Sequence, residues 1–572
     1  MKKNASKILG LPLLLGALML TVGCGKEEAD STTAQADSAT PKLGIRPNGD
    51  ETIKIDMSKI QNADLPKIFS YIDDHIDDHV INLQKWIQQP SISNTGEGIQ
   101  ESAEMVKGFF DQLGCQRSQV FDPGKTKWGS QSNPVVYAKC DEGAEKTLIV
   151  YWQGDTMPVT QPDLWKAPPF EGRLVEQAPF KKVLIGRGAT NSKGPEMTFL
   201  NAVMSMKAVT GKLPVNLIFV VEHDEERMDV GLNAFMTKHM DLFKGADGVW
   251  GPGGSEGCLF VELTTSGHSW GRGPDYSDIH GANKLSVDSP AWRHIKMLSK
   301  LISDDGNTPT IPGFTENWLP MNPEEDAALR KRAANYDLKR AAENLGVKRF
   351  MSDDPYEVLK LRAHGLSMNL DGIWGGNMFA GGSGAILPNK ITSKHNFRYR
   401  ANMNGPDIAA KLRKYLDQLG YKDVEMNIVG DVPWATRDNN NDLARANAYT
   451  TSIFRTPATA APTSGGRPIP NRGPVSGAPM PVNAASTSGG GGGYWPAYLF
   501  AGKETNIDLP ISAARGGTGG NAHAANEWYV IEGAGNQLGM ASAEKIVATA
   551  LYTYAGKNGR VPANIAVPDA GW

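Results

Sequence analysis

A cluster of acidic side chains follows the most apolar segment of the chain. The run Val215–Val221 predicts a strand buried on both faces, as in a parallel sheet with helices on each side. Four acids come directly after it: Glu222, Asp224, Glu225 and Glu226. Because neighbouring residues on an extended chain point to opposite sides, Glu225 and Glu226 are expected to divide two tasks, one binding a cation and the other accepting a proton. A solvated acidic loop explains this segment equally well, so other segments must decide.

Another carboxylate and a glycine-rich turn also follow predicted strands. Asp155 comes just after the apolar run Leu148–Trp152, at the end of a strand where parallel sheets place their chemistry. The turn at 184–195, which contains GRGATNSKG, leads into a helix predicted over Glu196–Val209. Such a turn can bind phosphate, but its glycines match neither of the common nucleotide-binding fingerprints, which argues against nucleotide binding.

Two histidines on the first long helix have a spacing that can bind zinc. The segment Leu65–Gln89 repeats apolar residues every three or four positions, which predicts one amphipathic helix. His75 and His79 lie one turn apart on it. Since both repeat within an acidic, polar face, we favour a solvated helix face over a metal site.

The elements that must position these residues alternate between strand and helix, which predicts an α/β fold. From Leu263 onwards the pattern suggests a smaller α+β unit inserted into the larger one. Residues 455–493 are rich in Pro, Gly, Ser and Ala, cannot build a core and are predicted to form a loop. The predicted divisions are a signal peptide at 1–24, a tether at 25–55, a catalytic domain in two parts at 56–262 and 433–572, and an inserted domain at 263–432.

Composition and the N-terminal segment limit the possible roles. The chain has 572 residues, too many for one core, and its formal net charge of -3 provides no basic field for nucleic acid. Lysines precede the apolar run Ile8–Val22, and LTVGC ending at Cys24 resembles a bacterial lipobox, which implies cleavage before Cys24 and acylation of its thiol. Residues 25–50 have the polar composition of a disordered tether. We therefore predict a lipid-anchored protein on the periplasmic side of a bacterial cell envelope.

The remaining cysteines have no metal-type spacing. Cys115, Cys140 and Cys258 are an odd number in the mature body of the chain, and we interpret them as structural. A disulfide between Cys115 and Cys140 could form in an oxidising periplasm.

Seven segments in a fixed order carry a resemblance to a known family. They are QGDTMPV, WKAPPFEG, GRGATNSKG, HDEERMD, SDIHGA, SGAILPNKITSKHNFRYR and NAHAANE. The series resembles the co-catalytic zinc exopeptidase and deacylase family that includes carnosinase, aminoacylase, acetylornithine deacetylase and succinyl-diaminopimelate desuccinylase, over about residue 65 to the end. The resemblance implies a catalytic domain with a mixed, parallel-cored sheet flanked by helices, an inserted α+β lid often used for dimerisation, and a pair of zinc ions. A homodimer is therefore an expectation.

The resemblance assigns roles to residues that the chain retains. It implies that Glu225 is the general base, that Glu226 and His523 are metal ligands, and that Asp155 orients a neighbouring ligand. It also implies a peptide or acyl amino acid as substrate.

Three positions depart from the family's metal set. Gln153 stands where the family has a metal-binding His, Asn191 where it has a bridging Asp, and Gly251 where it has a further Asp. Because two close cations need anionic ligands to offset their repulsion, we predict that a two-zinc site does not assemble. One ion, zinc or another divalent metal, could still bind through Glu226 and His523, with Gln153, Asn191 or water completing its ligands.

Lid residues that would contact substrate fall on His280 and Arg398. By the resemblance, His280 would stabilise an oxyanion and Arg398 would hold a substrate carboxylate, aided loosely by the turn at Gly491–Gly493. His223 and Glu256 are weaker candidates to replace a missing metal ligand, and for His223 an orientation away from the site is the favoured alternative.

Two functions from different classes remain open. The first is an envelope-anchored metallohydrolase that cleaves amide bonds of dipeptides or N-acyl amino acids. The alternative is a catalytically impaired relative that binds peptides or acts as a scaffold lipoprotein. The three altered positions favour the second, whereas the retained pair Glu225 and Glu226 favours the first, because a chain without catalysis has no reason to keep it. We predict the hydrolase, and the sequence leaves open whether turnover persists.

Overall fold

The computed structural model describes residues 42–435, 441–455, 463–464, 467–468, 493–513, 516–563, 565 and 567. The predicted signal peptide, the start of the tether and most of the Pro/Gly-rich loop lie outside these residues. Within them, no helix combines the length and the apolar character needed to cross a bilayer.

The described helices and the longer strands are as follows. The helices are α1 (Leu65–Asp74), α2 (Ile76–Gln88), α3 (Ile99–Leu113), α4 (Lys193–Thr210), α5 (Val230–Met236), α6 (Gly267–Trp270), α7 (Pro290–Leu298), α8 (Pro323–Ala333), α9 (Leu338–Leu345), α10 (Pro355–His364), α11 (Gly405–Gln418), α12 (Asp442–Ile453) and α13 (Met540–Tyr554). The strands are β1 (Arg117–Phe121), β2 (Val135–Cys140), β3 (Thr147–Gln153), β4 (Arg173–Gln177), β5 (Phe180–Ile185), β6 (Asn216–Glu222), β7 (Gly248–Trp250), β8 (Gly257–Ser266), β9 (Ser367–Trp374), β10 (Lys390–Tyr399), β11 (Glu425–Val432) and β12 (Trp528–Glu532).

The central sheet has the strand order β1-β2-β6-β3-β7. Strands β6, β3 and β7 are parallel, whereas β1 and β2 are antiparallel to their neighbours. Because β3 and β6 are apolar on both faces, both faces must be covered. Helices α1 to α4 and α13 pack on one face, and α5 with the segment 495–500 packs on the other. The prediction of an α/β fold with a mixed, parallel-cored sheet is confirmed.

A smaller antiparallel sheet brings two turns together. It contains β12, β5 and β4, and the register pairs Ile185 at the end of β5 with Trp528 at the start of β12. The glycine-rich turn that follows β5 and the turn at 521–527 that precedes β12 therefore lie side by side. Residues more than three hundred positions apart meet because of this single pairing.

A second core lies in the inserted region. The antiparallel order β9-β10-β8-β11 forms one sheet, and the apolar faces of β8 and β10 pack against α7 and α11. Buried side chains at this contact include Leu259, Phe397 and Leu412. The expectation of a smaller α+β lid beside the catalytic domain is confirmed.

The first predicted helix is two helices, and its histidines do not form a solvated pair. Residues 65–89 break at His75, which ends α1 and precedes α2. His79 is buried, and its Nδ1 lies 2.7 Å from Oε2 of Glu544. The solvated-face interpretation was therefore wrong for His79, which is a core residue paired with a distant acid.

A disulfide joins Cys115, just after α3, to Cys140 at the end of β2. Cys258 is free and buried. The pairing agrees with the structural role expected for these cysteines.

Candidate functional site

The acid pair lies on a tight turn that Asp155 holds in place. Glu225–Arg227 form a short 3-10 helix rather than the extended chain that the sequence suggested. Asp155 is fully buried at the end of β3, and its two carboxylate oxygens accept hydrogen bonds from the backbone N–H groups of Glu225 and Glu226, each at 3.1 Å. Burial and the nearby charge of Glu226 raise the pKa of Asp155 to about 7. Asp155 thus fixes the turn through the backbone.

Four predicted ligand positions meet at one carboxylate oxygen. Oε1 of Glu226 lies 2.9 Å from Nε2 of His523, 3.0 Å from Nδ2 of Asn191 and 3.3 Å from Nε2 of Gln153. The Asn191 amide nitrogen is also 3.0 Å from Nε2 of His523. The structure therefore brings Glu226, His523, Asn191 and Gln153 together.

His523 enters the cleft from a strained turn. Its φ is +65°, in the left-handed region that a histidine seldom adopts. Its side chain is about half exposed, while that of Glu226 is almost fully buried. Although burial disfavours the imidazolium, the hydrogen bond and negative charge of Glu226 raise the pKa of His523. The contact with Glu226 therefore favours the protonated form of the His523 imidazole.

Glu527 organises the glycine-rich turn. Its carboxylate accepts hydrogen bonds from Arg187 Nη1 at 2.8 Å and from the backbone N–H groups of Gly188, Thr190 and Asn191 at 2.9, 3.0 and 2.8 Å. The backbone amides of the turn are therefore directed at an internal carboxylate. The sequence analysis missed this role, although Glu527 is the last residue of HAANE.

Gly251 has no side chain to act as a ligand, and an aromatic ring fills the space beside it. A Cβ atom on Gly251 would lie 2.8 Å from Cη2 of Trp495. The Trp495 indole N–H is held by the carbonyl oxygen of Gly253 at 3.0 Å. In the part of the chain that the structure describes, no group of three or more His, Cys, Asp or Glu side chains could hold a metal.

Comparison with known proteins identifies the family. The model of peptidase family M20/M25/M40 matches residues 151–446, just over half of the chain. The chain belongs to this family. Human Beta-Ala-His dipeptidase is 25% identical over 420 residues, covering 68% of this chain and 80% of its own, and the Cys-Gly metallodipeptidase DUG1 of Candida albicans is 28% identical over 377 residues, covering 61% and 73%.

Solved M20 structures share the fold. The metallo-carboxypeptidase Sso-CP2 from Sulfolobus solfataricus has a TM-score of 0.63 and 26% identity, covering 83% of this chain and 99% of its own. Human carnosine dipeptidase 1 has a TM-score of 0.67 and 22% identity, covering 86% and 99%, which supports the fold alone. The resemblance inferred from the seven segments is confirmed.

The donor atoms of this M20 chain suit one divalent ion. Glu226 Oε1, His523 Nε2 and the Asn191 amide are 2.9 to 3.0 Å from one another. Neighbouring ligands of one ion at about 2.0–2.2 Å have separations of roughly 3 Å. Turning the Asn191 amide would present its oxygen in place of its nitrogen. Gln153 and Gly251 supply neither the imidazole nor the carboxylate that would favour a second ion.

The other two candidate ligands lie elsewhere. His223 is buried, with Nδ1 3.2 Å from the carbonyl oxygen of Pro134 and Nε2 against Gly154, and burial lowers its pKa to about 3. Glu256 forms ion pairs with Arg398 and Arg400. Neither replaces a missing M20 ligand.

The two lid residues, His280 and Arg398, contact neighbouring groups of the protein. His280 is exposed on the short strand Ile279–His280, and its Nδ1 accepts a hydrogen bond from the backbone N–H of Ala282 at 3.2 Å. Arg398 contacts Glu256 at 3.0 Å and lies 4.9 Å from the ring centre of Tyr494. The described contacts of both residues are with neighbouring protein groups.

Proposed function

We propose that this M20 protein hydrolyses an amide bond in dipeptides or N-acyl amino acids, using one divalent ion. The observation that carries the proposal is the clamped turn: Asp155 holds Glu225 and Glu226 in place while His523 contacts Glu226. The names of the dipeptidase relatives support the substrate class.

The residues of the site would divide the chemistry between them. Glu226, His523 and Asn191 would hold the ion, which when bound polarises the substrate carbonyl. Burial and the charges of Glu226 and Asp155 raise the pKa of Glu225 well above its ordinary value. A carboxylate with a raised pKa can take a proton from water and return it to the leaving amine. Glu225 is therefore the proposed proton carrier.

The test is a comparison of Glu225→Gln with wild type after loading with zinc or manganese. We expect one equivalent of metal in both proteins, and turnover of dipeptides or N-acetyl amino acids to fall by about a hundredfold or more in the variant. Glu176→Gln is the matched control, because Glu176 is exposed and its carboxylate pairs with Lys181 at 2.9 Å. Equal product release by wild type and Glu225→Gln would refute the hydrolase.

One observation favours the alternative of a binding protein. Amide nitrogens of Asn191 and Gln153 are in hydrogen-bonding distance of Glu226, so the acid is satisfied without an ion. Stoichiometric binding of a peptide, with neither metal uptake nor product, would establish that alternative.

For location, we propose the periplasmic side of the envelope with a lipid on Cys24. The support is the sequence alone: a charged start, a short apolar run and LTVGC. Cell fractionation of Cys24→Ser should move the protein from the membrane to the soluble fraction. Retention in the membrane would count against the lipid anchor.

A homodimer is the proposed assembly. Large apolar side chains on the lid region are exposed, with Leu285 at 96% and Phe379 at 88%. Light scattering should give twice the mass of one chain, and Leu285→Lys with Phe379→Lys should reduce it. A single-chain mass for wild type would refute the dimer.

A further inference from the structure

Glu256 already pairs with Arg398, the arginine that the family resemblance assigns to binding a substrate carboxylate. Its Oε1 accepts a hydrogen bond from Nη1 of Arg398 at 3.0 Å, and its Oε2 lies 3.2 Å from Nη1 of Arg400. The Glu256 side chain is only 5% exposed. The chain thus provides its own carboxylate at this position.

This cluster borders the candidate site. Arg398 lies over the ring of Tyr494, which directly precedes Trp495 in the chain. Trp495 packs on Tyr151, with ring centres 5.2 Å apart, and the Tyr151 hydroxyl donates to Glu222, three residues before Glu225. The rings therefore connect Arg398 to the cleft.

The turn at Gly491–Gly493 was also expected to help hold a substrate carboxylate, and its residue Gly493 contacts Glu256. The backbone N–H of Glu256 donates to the carbonyl oxygen of Gly493 at 3.3 Å. Gly493 is the described end of the glycine run that loosely matches the family's substrate-binding turn. The carboxylate and the amide of one residue thus engage both recognition elements.

Arg400 donates hydrogen bonds to the backbone of the lid and so does not replace Arg398 as a partner for a substrate carboxylate. Its Nε and Nη2 donate to the carbonyl oxygens of Gly365 and Arg362, each at 3.1 Å. A free carboxylate that approached Arg398 would have to displace Glu256 or lie beside its negative charge.

We propose that Glu256 is a specificity-determining residue that neutralises Arg398, so that the cleft selects ligands whose end beside Arg398 is uncharged. This inference rests on the proposed amide-bond ligands and narrows them: carboxamide ends or continuing peptide chains are favoured over a free carboxylate. If the ion pair between Glu256 and Arg398 only held β8 to β10, removing it would not change the preference between a carboxamide and a carboxylate end.

The probes are N-acetylalanine and N-acetylalaninamide, which differ in one end group. Ligand-observed NMR on zinc-loaded protein reports binding and product release in the same sample. Wild type should bind the amide at least as tightly as the acid. Glu256→Gln should raise the affinity for the acid about tenfold and change that for the amide less than about twofold.

A matched control and a second variant keep the test decisive. Glu262→Gln removes a carboxylate from the same strand, β8, where Glu262 lies 3.5 Å from Lys394, and should leave the acid-to-amide ratio unchanged. If Glu256→Gln does not fold, Arg398→Gln is the second test, because Glu256 keeps Arg400 as its partner. That variant should bind the acid as weakly as wild type does.

The outcomes separate this inference from the proposed hydrolysis. Binding of the amide without product refutes the hydrolase and leaves the role of Glu256 intact. A wild-type preference for the acid, a loss of acid affinity of about tenfold in Arg398→Gln, or no binding of either probe overturns the inference.

Discussion

Trp495 packs against Gly251, the position at which the family resemblance led us to expect a further acidic metal ligand. A side chain at Gly251 would meet the Trp495 ring at 2.8 Å and Ile511 at 3.5 Å. The indole N–H donates to a carbonyl oxygen in the loop that follows Gly251, which fixes the ring. The Trp495 ring therefore leaves no room for a larger side chain at position 251.

Gly251→Ala should destabilise the protein by about 1–3 kcal/mol, because even a methyl group overpacks the contact with Trp495. Urea unfolding monitored by fluorescence measures the change. Gly108→Ala is the matched control: a Cβ at Gly108, within α3, meets nothing within 4 Å, so the substitution should be neutral or stabilising. Equal stability of Gly251→Ala and wild type would show that the ring moves aside readily.

Asp155→Asn should weaken the site without removing any group that touches the substrate. An asparagine can accept a hydrogen bond from only one of the two backbone N–H groups, of Glu225 and Glu226, that Asp155 holds. We expect metal affinity and kcat/KM each to fall by about 10- to 100-fold. Asp163→Asn, at an exposed position in the short 3-10 helix Pro162–Leu164, should change neither. Unchanged metal affinity in Asp155→Asn would mean that the turn keeps its shape without the clamp.

The sequence predicted those parts of the site that depend on local pattern. Apolar runs located β3 and β6, and the acids at their ends located Asp155 and the Glu225–Glu226 turn. The acid turn itself was expected to be extended, because strand periodicity does not reveal where a 3-10 helix begins.

Contacts across long sequence separations were not predictable. Trp495 against Gly251, Glu527 within the glycine-rich turn and Glu256 beside Arg398 each require knowledge of how separate elements pack. Local spacing also misassigned His79, whose partner Glu544 is 465 residues away. Tertiary packing, and not local propensity, decides such pairs.

The disulfide between Cys115 and Cys140 should stabilise the native state. It closes a chain segment with a separation of 25 residues, for which restriction of the unfolded chain predicts about 3.5 kcal/mol. Reduction should therefore lower the urea midpoint of wild type. Cys115→Ser with Cys140→Ser should reproduce the lower midpoint and respond no further to the reductant. An unchanged wild-type midpoint on complete reduction would contradict the prediction.

A buried polar chain in the lid predicts a response to acid. His294 Nδ1 lies 2.9 Å from Thr265 Oγ1 and its Nε2 lies 2.8 Å from Ser393 Oγ, which in turn lies 2.8 Å from Nε2 of His395. Burial lowers the pKa of His294 and of His395 to about 4 each. The folded lid therefore holds both imidazoles neutral.

Because the unfolded chain protonates these histidines near pH 6.5 and the folded lid near pH 4, their contribution to stability is present above pH 6.5 and is lost as the pH falls through this window. Each group should change the unfolding free energy by up to about 1.4 kcal/mol per pH unit. Urea unfolding at pH 7.5 and 5.0 measures the slope. His395→Gln should remove about half of the two-histidine contribution, whereas His268→Gln, at an exposed position, should not change it. A His395→Gln slope equal to that of wild type would show that His395 does not control the acid response.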